Sequence, residues 1–154
     1  MSRLEAGARA PSFSLTDQNG HRVSSASLRG ERYVVYFYPA DDTPGCTKEA
    51  CGFNDELSIF RHLGVRVLGV SPDDAASHLK FRAKFALDFD LLSDPKKSTM
   101  QAYGAYGEKM LYGKKVVGVI RSTFVVGPTG LIEHAWYAVR TDGHARRVRA
   151  AIEG

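Results

Sequence analysis

The chain has 154 residues, of which 44% are hydrophobic and 25% charged, and its formal net charge is +4. That length suits one domain over residues 1–154 with a sizeable core, and it excludes two large domains or a disordered tail. The two cysteines, Cys46 and Cys51, are too few for a disulfide-stapled scaffold, so they stand either for chemistry or for coincidence.

From Met1 to Gly7 there is no apolar stretch of the signal-peptide kind, and Glu5 argues against a transit peptide. No apolar run approaches the ~20 residues that span a bilayer. The expectation is a soluble protein of a reducing compartment, the cytoplasm, with no membrane partner. Phe13 to Leu15 and His21 to Val23 flank Asp17-Gln18-Asn19-Gly20, a strong hairpin signal. Tyr33 to Tyr38 is a continuous β-branched and aromatic run, suited to a strand buried on both faces. Between Cys46 and His62, the residues Ala50, Phe53, Leu57 and Phe60 recur at helical spacing, and Gly64 supplies a stop. Val65 to Val70 reads as the next strand. Ser71-Pro72-Asp73-Asp74 predicts a helix start with Ser71 as cap, and Leu79, Phe81, Phe85 and Leu87 carry that helix onward. A short strand over Phe89–Leu92 and a short helix over Ser98–Tyr103 follow. Val116–Val126, the Gly127-Pro128-Thr129-Gly130 turn and Leu131–Tyr137 predict a late hairpin, and Asp142–Ile152 a closing helix. This order indicates an α/β fold: a central mixed β-sheet flanked by helices, with an N-terminal β-hairpin extension, in the thioredoxin-like arrangement.

The segment from Tyr38 to Cys51 joins the end of a buried strand to the start of a helix, where ligands collect in open α/β sheets. With Thr43 as cap and Pro44 first in the helix, Cys46 takes the third helical position. There, unpaired amides and the positive end of the helix dipole favour a thiolate, which makes Cys46 the candidate nucleophile. Cys51 lies more than a turn further in. Residues five apart in a regular helix have Cα atoms ~8.6 Å apart, beyond the ~4.4–6.8 Å that a disulfide needs. Pairing of the two therefore requires the first turns to unwind, and Gly45 and Gly52 flank the segment suitably. The bland alternative, two unremarkable buried thiols, stays open on these grounds.

Pro39-x-x-x-Thr43-x-x-Cys46 resembles the active-site signature of the peroxiredoxins. The run Asp41 to Phe53 is similar to their bacterioferritin comigratory protein, or PrxQ, branch. Gly107-Glu108-Lys109, Tyr112-Gly113-Lys114, Gly118 to Phe124, Trp136, Val139 and Gly143-His144 extend the likeness over about Ala6 to Ile152, with Ala40 where the branch often has Lys. The resemblance implies reduction of hydrogen peroxide and organic hydroperoxides with no metal or other cofactor. Cys46 would attack the peroxide, with Arg121, Thr43 and the amides of Gly45 and Cys46 stabilising the departing oxygen. Pro39 and Pro44 would shape the pocket, and Glu49 would orient Arg121. Cys51 would resolve the sulfenic acid as an intramolecular disulfide, and thioredoxin or glutaredoxin would reduce it. A monomer is expected. A protein-disulfide oxidoreductase competes weakly, since four residues rather than two separate the cysteines. A non-catalytic redox sensor is a further reading. His21, His62, His78, His134 and His144 lack ligand spacing, and Arg146, Arg147 and Arg149 read as a solvated face rather than a nucleic-acid site.

Overall fold

The computed structural model describes residues 3–154. Met1 and Ser2, the first residues of the stretch expected to carry no leader, lie outside the described residues. Strands β1 (Ser14–Thr16) and β2 (Arg22–Ser24) form the expected N-terminal hairpin. Asp17 closes it, its Oδ1 accepting the amides of Asn19 and His21 at 2.9 Å each. A 3-10 turn at Ala26–Leu28 leads into β3 (Arg32–Phe37), followed by α1 (Pro44–Asp55) and α2 (Leu57–His62). Then come β4 (Val65–Ser71), α3 (Ala75–Phe85), β5 (Asp90–Ser93) and α4 (Ser98–Ala102). The chain finishes with β6 (Tyr106–Leu111), β7 (Lys114–Val119), β8 (Ser122–Val126), β9 (Ile132–Trp136) and α5 (His144–Glu153).

Seven strands form one mixed sheet in the order β2-β1-β5-β4-β3-β8-β9, with β3, β4 and β5 mutually parallel and the outer pairs antiparallel. Strand alternation divides the core into two layers. Val34 and Tyr36 of β3 pack with α1, α2, α3 and α5 through Ala50, Phe53, Phe60, Phe81 and Val148. Val35 and Phe37 face the other way, onto Phe124, Met100 and Tyr103. The molecule is thus the expected thioredoxin-like mixed sheet flanked by helices. Among the described residues, no helix is long and apolar enough to cross a membrane.

Four expectations need correction. The stretch from Cys46 to His62 is two helices, because the chain turns at Glu56 (φ −94°, ψ 1°). Ser71 does not cap α3: it ends β4 and its hydroxyl bonds Asp73, while Asp74 caps the helix by accepting from the Ser77 amide at 2.9 Å. That helix stops at Ala86 (φ 53°), so Leu87 lies beyond it. Val116–Val126 is interrupted at Ile120 and Arg121, which separate β7 from β8. β6 and β7 then pair as a two-stranded ribbon apart from the main sheet, a hairpin that the sequence reading missed. Its signal is Tyr112-Gly113 at φ 52° and 79°, a two-residue turn with both residues left-handed.

Candidate active site

β3 ends in the middle of the sheet, and the loop Tyr38 to Thr43 carries the chain from its carboxyl end to the start of α1. Thr43 holds the cap position with extended backbone (φ −94°, ψ 155°), but its side chain does not cap. Instead its hydroxyl donates back to the Ala40 carbonyl at 3.0 Å, tightening the loop. Pro44 begins the helix, and the first amide to bond backwards is that of Thr47, to the Thr43 carbonyl at 2.8 Å. The amides of Gly45 and Cys46 precede that bond, so helix geometry leaves them without intrahelical partners.

Cys46 is only 1% exposed and is covered by Arg121. The guanidinium donates from Nη2 to the Cys46 sulfur at 3.4 Å and from Nη1 to Glu49 Oε1 at 2.7 Å. It reaches both because the chain leaves strand geometry between β7 and β8, where the Arg121 carbonyl accepts from the Val139 amide at 3.0 Å. A Cβ at Gly45 would stand 3.3 Å from Arg121 Nη2, so glycine there lets the guanidinium come close. Burial works against the Arg121 charge, but Glu49 and Cys46 around it outweigh that and raise its pKa. Glu49 is itself 1% exposed, and its Oε2 has no hydrogen-bond partner. Burial pushes its carboxyl up to about 7, and Arg121 only partly offsets that cost. The pair is close in space, yet the carboxyl loses more by leaving water than one guanidinium returns.

Cys46 and Cys51 are both free thiols, and α1 runs unbroken through them. Cys46, Glu49, Ala50 and Phe53 form the buried stripe of the helix. Cys51 is half-buried on another side, in a groove of about 330 Å³ whose lining includes Lys48, Asp55, Thr141 and His144. Burial and then Asp55 push its thiol pKa up. Pro39 and Arg121 lie in the lining of a separate cavity of about 480 Å³, whose apolar walls include Met110, Leu111, Ile120 and Val139. The structure thus gathers Cys46, Thr43, Gly45, Glu49, Arg121 and Pro39 around one helix start. Pro44 is exposed and lies outside the lining of that cavity.

Two of the histidines that lack ligand spacing, His78 and His144, are structural neighbours of this site. His78 is fully buried; its Nδ1 lies 2.7 Å from Asp41 Oδ2 and its Nε2 3.1 Å from the Leu92 carbonyl. Asp41 also accepts from Tyr38 at 2.5 Å and Ser77 at 2.7 Å, while its amide donates to Asp73 at 2.7 Å. His144, at the start of α5, stands edge-on to Phe53 and 2.8 Å from Thr123 Oγ1. Burial and then the nearby charges of Arg147 and Arg121 bring its pKa down to about 4, so it stays neutral at ordinary pH. A Thr-Pro helix start is legible in sequence; a 37-residue separation between Asp41 and His78 is not. Among the described residues, no group of three or more His, Cys, Asp or Glu side chains could hold a metal ion.

Residues 6–135 match the model of the AhpC/TSA family. Peroxiredoxin Bcp of Escherichia coli is 41% identical over 144 residues, covering 94% of this chain and 92% of its own. The bacterioferritin comigratory protein of Xanthomonas campestris, whose alkyl peroxide reduction has been studied through trapped intermediate and ligand complexes, superposes with a TM-score of 0.86 at 40% identity, over 92% of this chain and 90% of that one. A PrxQ mutant from Xylella fastidiosa superposes with a TM-score of 0.91 at 34% identity, over 99% and 98% of the two chains.

Proposed function

The chain belongs to the AhpC/TSA family, among its Bcp/PrxQ peroxiredoxins, and from that premise we propose that Cys46 and Cys51 reduce hydrogen peroxide and organic hydroperoxides in a two-cysteine cycle. One observation carries the reading: Arg121 bridges the Cys46 sulfur and the buried Glu49 at the open end of α1. That arrangement places a fixed cation and free amides around a sulfur nucleophile, where negative charge moves during O–O cleavage.

The Cys46 thiolate attacks the nearer peroxide oxygen and the O–O bond breaks. The oxygen that stays becomes the sulfenic acid of Cys46, and the one that leaves takes a proton and departs as water or an alcohol. Arg121, with the Gly45 and Cys46 amides, faces the charge that develops on these oxygens, and the Thr43 hydroxyl is a further donor once it turns from Ala40. Cys51 then attacks the sulfenic sulfur, a water leaves and the disulfide forms. That step requires α1 to open between Thr43 and Phe53, since a regular helix holds the two Cα atoms ~8.6 Å apart. Thioredoxin, glutaredoxin or a similar dithiol protein returns both thiols by two exchange steps and is itself oxidised. Pro39 and the apolar cavity beside Arg121 favour organic peroxides as well as hydrogen peroxide. We read the working form as a cytoplasmic monomer that needs no cofactor.

Intact mass after adding peroxide to the reduced protein is the test. The wild type is expected to lose two hydrogens rapidly, Cys51→Ser to stop at a one-oxygen adduct, and Cys46→Ser to stay inert. Indifference of the wild type to peroxide, with efficient reduction of a protein disulfide, would overturn the reading in favour of a protein-disulfide oxidoreductase.

A further inference from the structure

The β6–β7 ribbon has an unusual surface. Of the six exposed large apolar side chains among the described residues, four (Met110, Leu111, Tyr112 and Val117) lie within it, and Tyr112 at its turn is 96% exposed. Such side chains on a soluble domain are ordinarily scattered, and a cluster marks a contact surface. The ribbon pairs with no strand of the main sheet; by its register Met110 and Val117 share one face, Leu111 lies on the other, and Tyr112 stands at the tip between them. Its register sets Met110 opposite Lys115 and Leu111 opposite Lys114. Lys115 approaches Glu108 only at 3.7 Å, with both side chains largely in water, and Lys114 has no ion pair among the described residues. Glu108, Lys109, Met110 and Leu111 also form one wall of the cavity that ends at Pro39 and Arg121.

We propose that the tip of this ribbon, Tyr112 with Lys114 and Lys115, docks on an anionic lipid bilayer and sets the mouth of the Arg121 cavity against it. The chemistry of the tip fits that occupant. An amphipathic tyrosine suits the headgroup level, and lysines beside apolar side chains add attraction to anionic lipid. A second copy fits less well, because a two-fold contact through the same patch would set lysines against lysines. The docking departs from the expectation of no membrane partner, which rested on the lack of a spanning segment: among the described residues no helix could span a bilayer, but adsorption needs none. Docking would bring hydroperoxides on lipid acyl chains to the apolar-walled cavity that reaches Arg121. That consequence rests on the peroxidase reading, whereas the docking itself does not.

The test uses the reduced full-length protein, flotation with phosphatidylcholine vesicles that contain or lack phosphatidylglycerol, and turnover of two substrates. The wild type is expected to float with the anionic vesicles, to be released by high salt, and to reduce vesicle-borne phosphatidylcholine hydroperoxide faster when phosphatidylglycerol is present. Tyr112→Asp combined with Lys114→Glu and Lys115→Glu should cut vesicle binding at least about tenfold and leave turnover of hydrogen peroxide in solution unchanged. Binding by this variant equal to wild type, equal binding to neutral vesicles, no binding to either, or a ribbon-dependent dimer that ignores vesicles would each overturn the docking. Failure of the wild type to turn over hydrogen peroxide would instead count against the peroxidase reading, and flotation would still decide the docking.

Discussion

Asp41 lies five residues before Cys46 and Cys51 five residues after it, and the two are held very differently. Asp41 is fixed by the side chains of Tyr38, Ser77 and His78, and its amide by Asp73, so the loop before Cys46 is tied to α3. Burial works against the Asp41 charge, but the bonds from His78 and Tyr38 outweigh it and keep its carboxyl below its usual range. The outward side of α1 has no such network. There Lys48 meets Asp142 between mostly exposed side chains, Arg149 reaches Glu56, and Gly52 offers Ala145 no side chain. On its inward side the helix is held by Arg121 at Cys46 and Glu49 and by Phe53, which stacks on Tyr36 with ring centroids 4.6 Å apart. The segment that contains both cysteines is thus held on its inward side and only lightly on its outward side, where Cys51 lies. Opening of α1 is therefore expected between Thr43 and Phe53, leaving the loop that carries Pro39 and Thr43 in place.

The largest expected effect comes from breaking the firm side. Asp41→Ala strips Tyr38, Ser77 and His78 of a buried acceptor and should cost about 3 kcal/mol, read as a lower urea midpoint. Its peroxide rate should also fall, because Thr43 and the start of α1 lose their support. A midpoint unchanged from wild type would show that the loop does not depend on this network.

Next is Glu49, which lies on the buried stripe between the two regions. Its carboxyl titrates at about 7 in the fold against 4.5 ordinarily, so the folded state holds a proton that the unfolded state gives up within that window. The stability it contributes is full below the ordinary value, drains as pH rises towards about 7 and is gone above it. Glu49→Gln cannot titrate, so its stability relative to wild type should climb between about pH 5 and pH 7 and then level off. The pH profile of the peroxide step should lose an inflection near 7 in the same variant. Parallel stability curves for the two proteins would exclude this titration.

The loose side should respond less. Arg149→Ala removes the partner of a mostly covered Glu56 at the end of α1 and should speed disulfide formation by about tenfold, in stopped-flow after a peroxide pulse. The smallest effect is expected from Asp142→Asn, which should leave both the urea midpoint and the peroxide rate unchanged within error, because its ion pair with Lys48 is fully in water. A large loss in either variant would mean that α5 clamps α1.

Local patterns in the sequence reveal one side of this comparison better than the other. The buried run of β3, the Thr43-Pro44 start and the third-position Cys46 are short-range features, and the structure forms all three. Helical arithmetic likewise exposes the conflict between an intact α1 and a Cys46–Cys51 bond. The Asp41–His78 anchor joins elements that only the parallel β3–β4–β5 sheet brings together, so no spacing signals it. Arg121 hides for a related reason. It sits in what reads as one continuous strand, and its reach to Cys46 exists only because the chain breaks between β7 and β8. The ribbon that forces this break has glycines at 107, 113 and 118, which blur the strand pattern. Resemblance to the peroxiredoxins pointed to Arg121; the interrupted strand explains how it gets there.

Hydrogen exchange on reduced and peroxide-oxidised protein tests whether α1 opens locally. Local opening predicts that amides from Cys46 to Gly52 lose protection on oxidation, while α3, with Ser77 and His78, and the strands beside it keep theirs. Equal protection of Cys46 to Gly52 in both states, or protection lost across α3 as well, would contradict it.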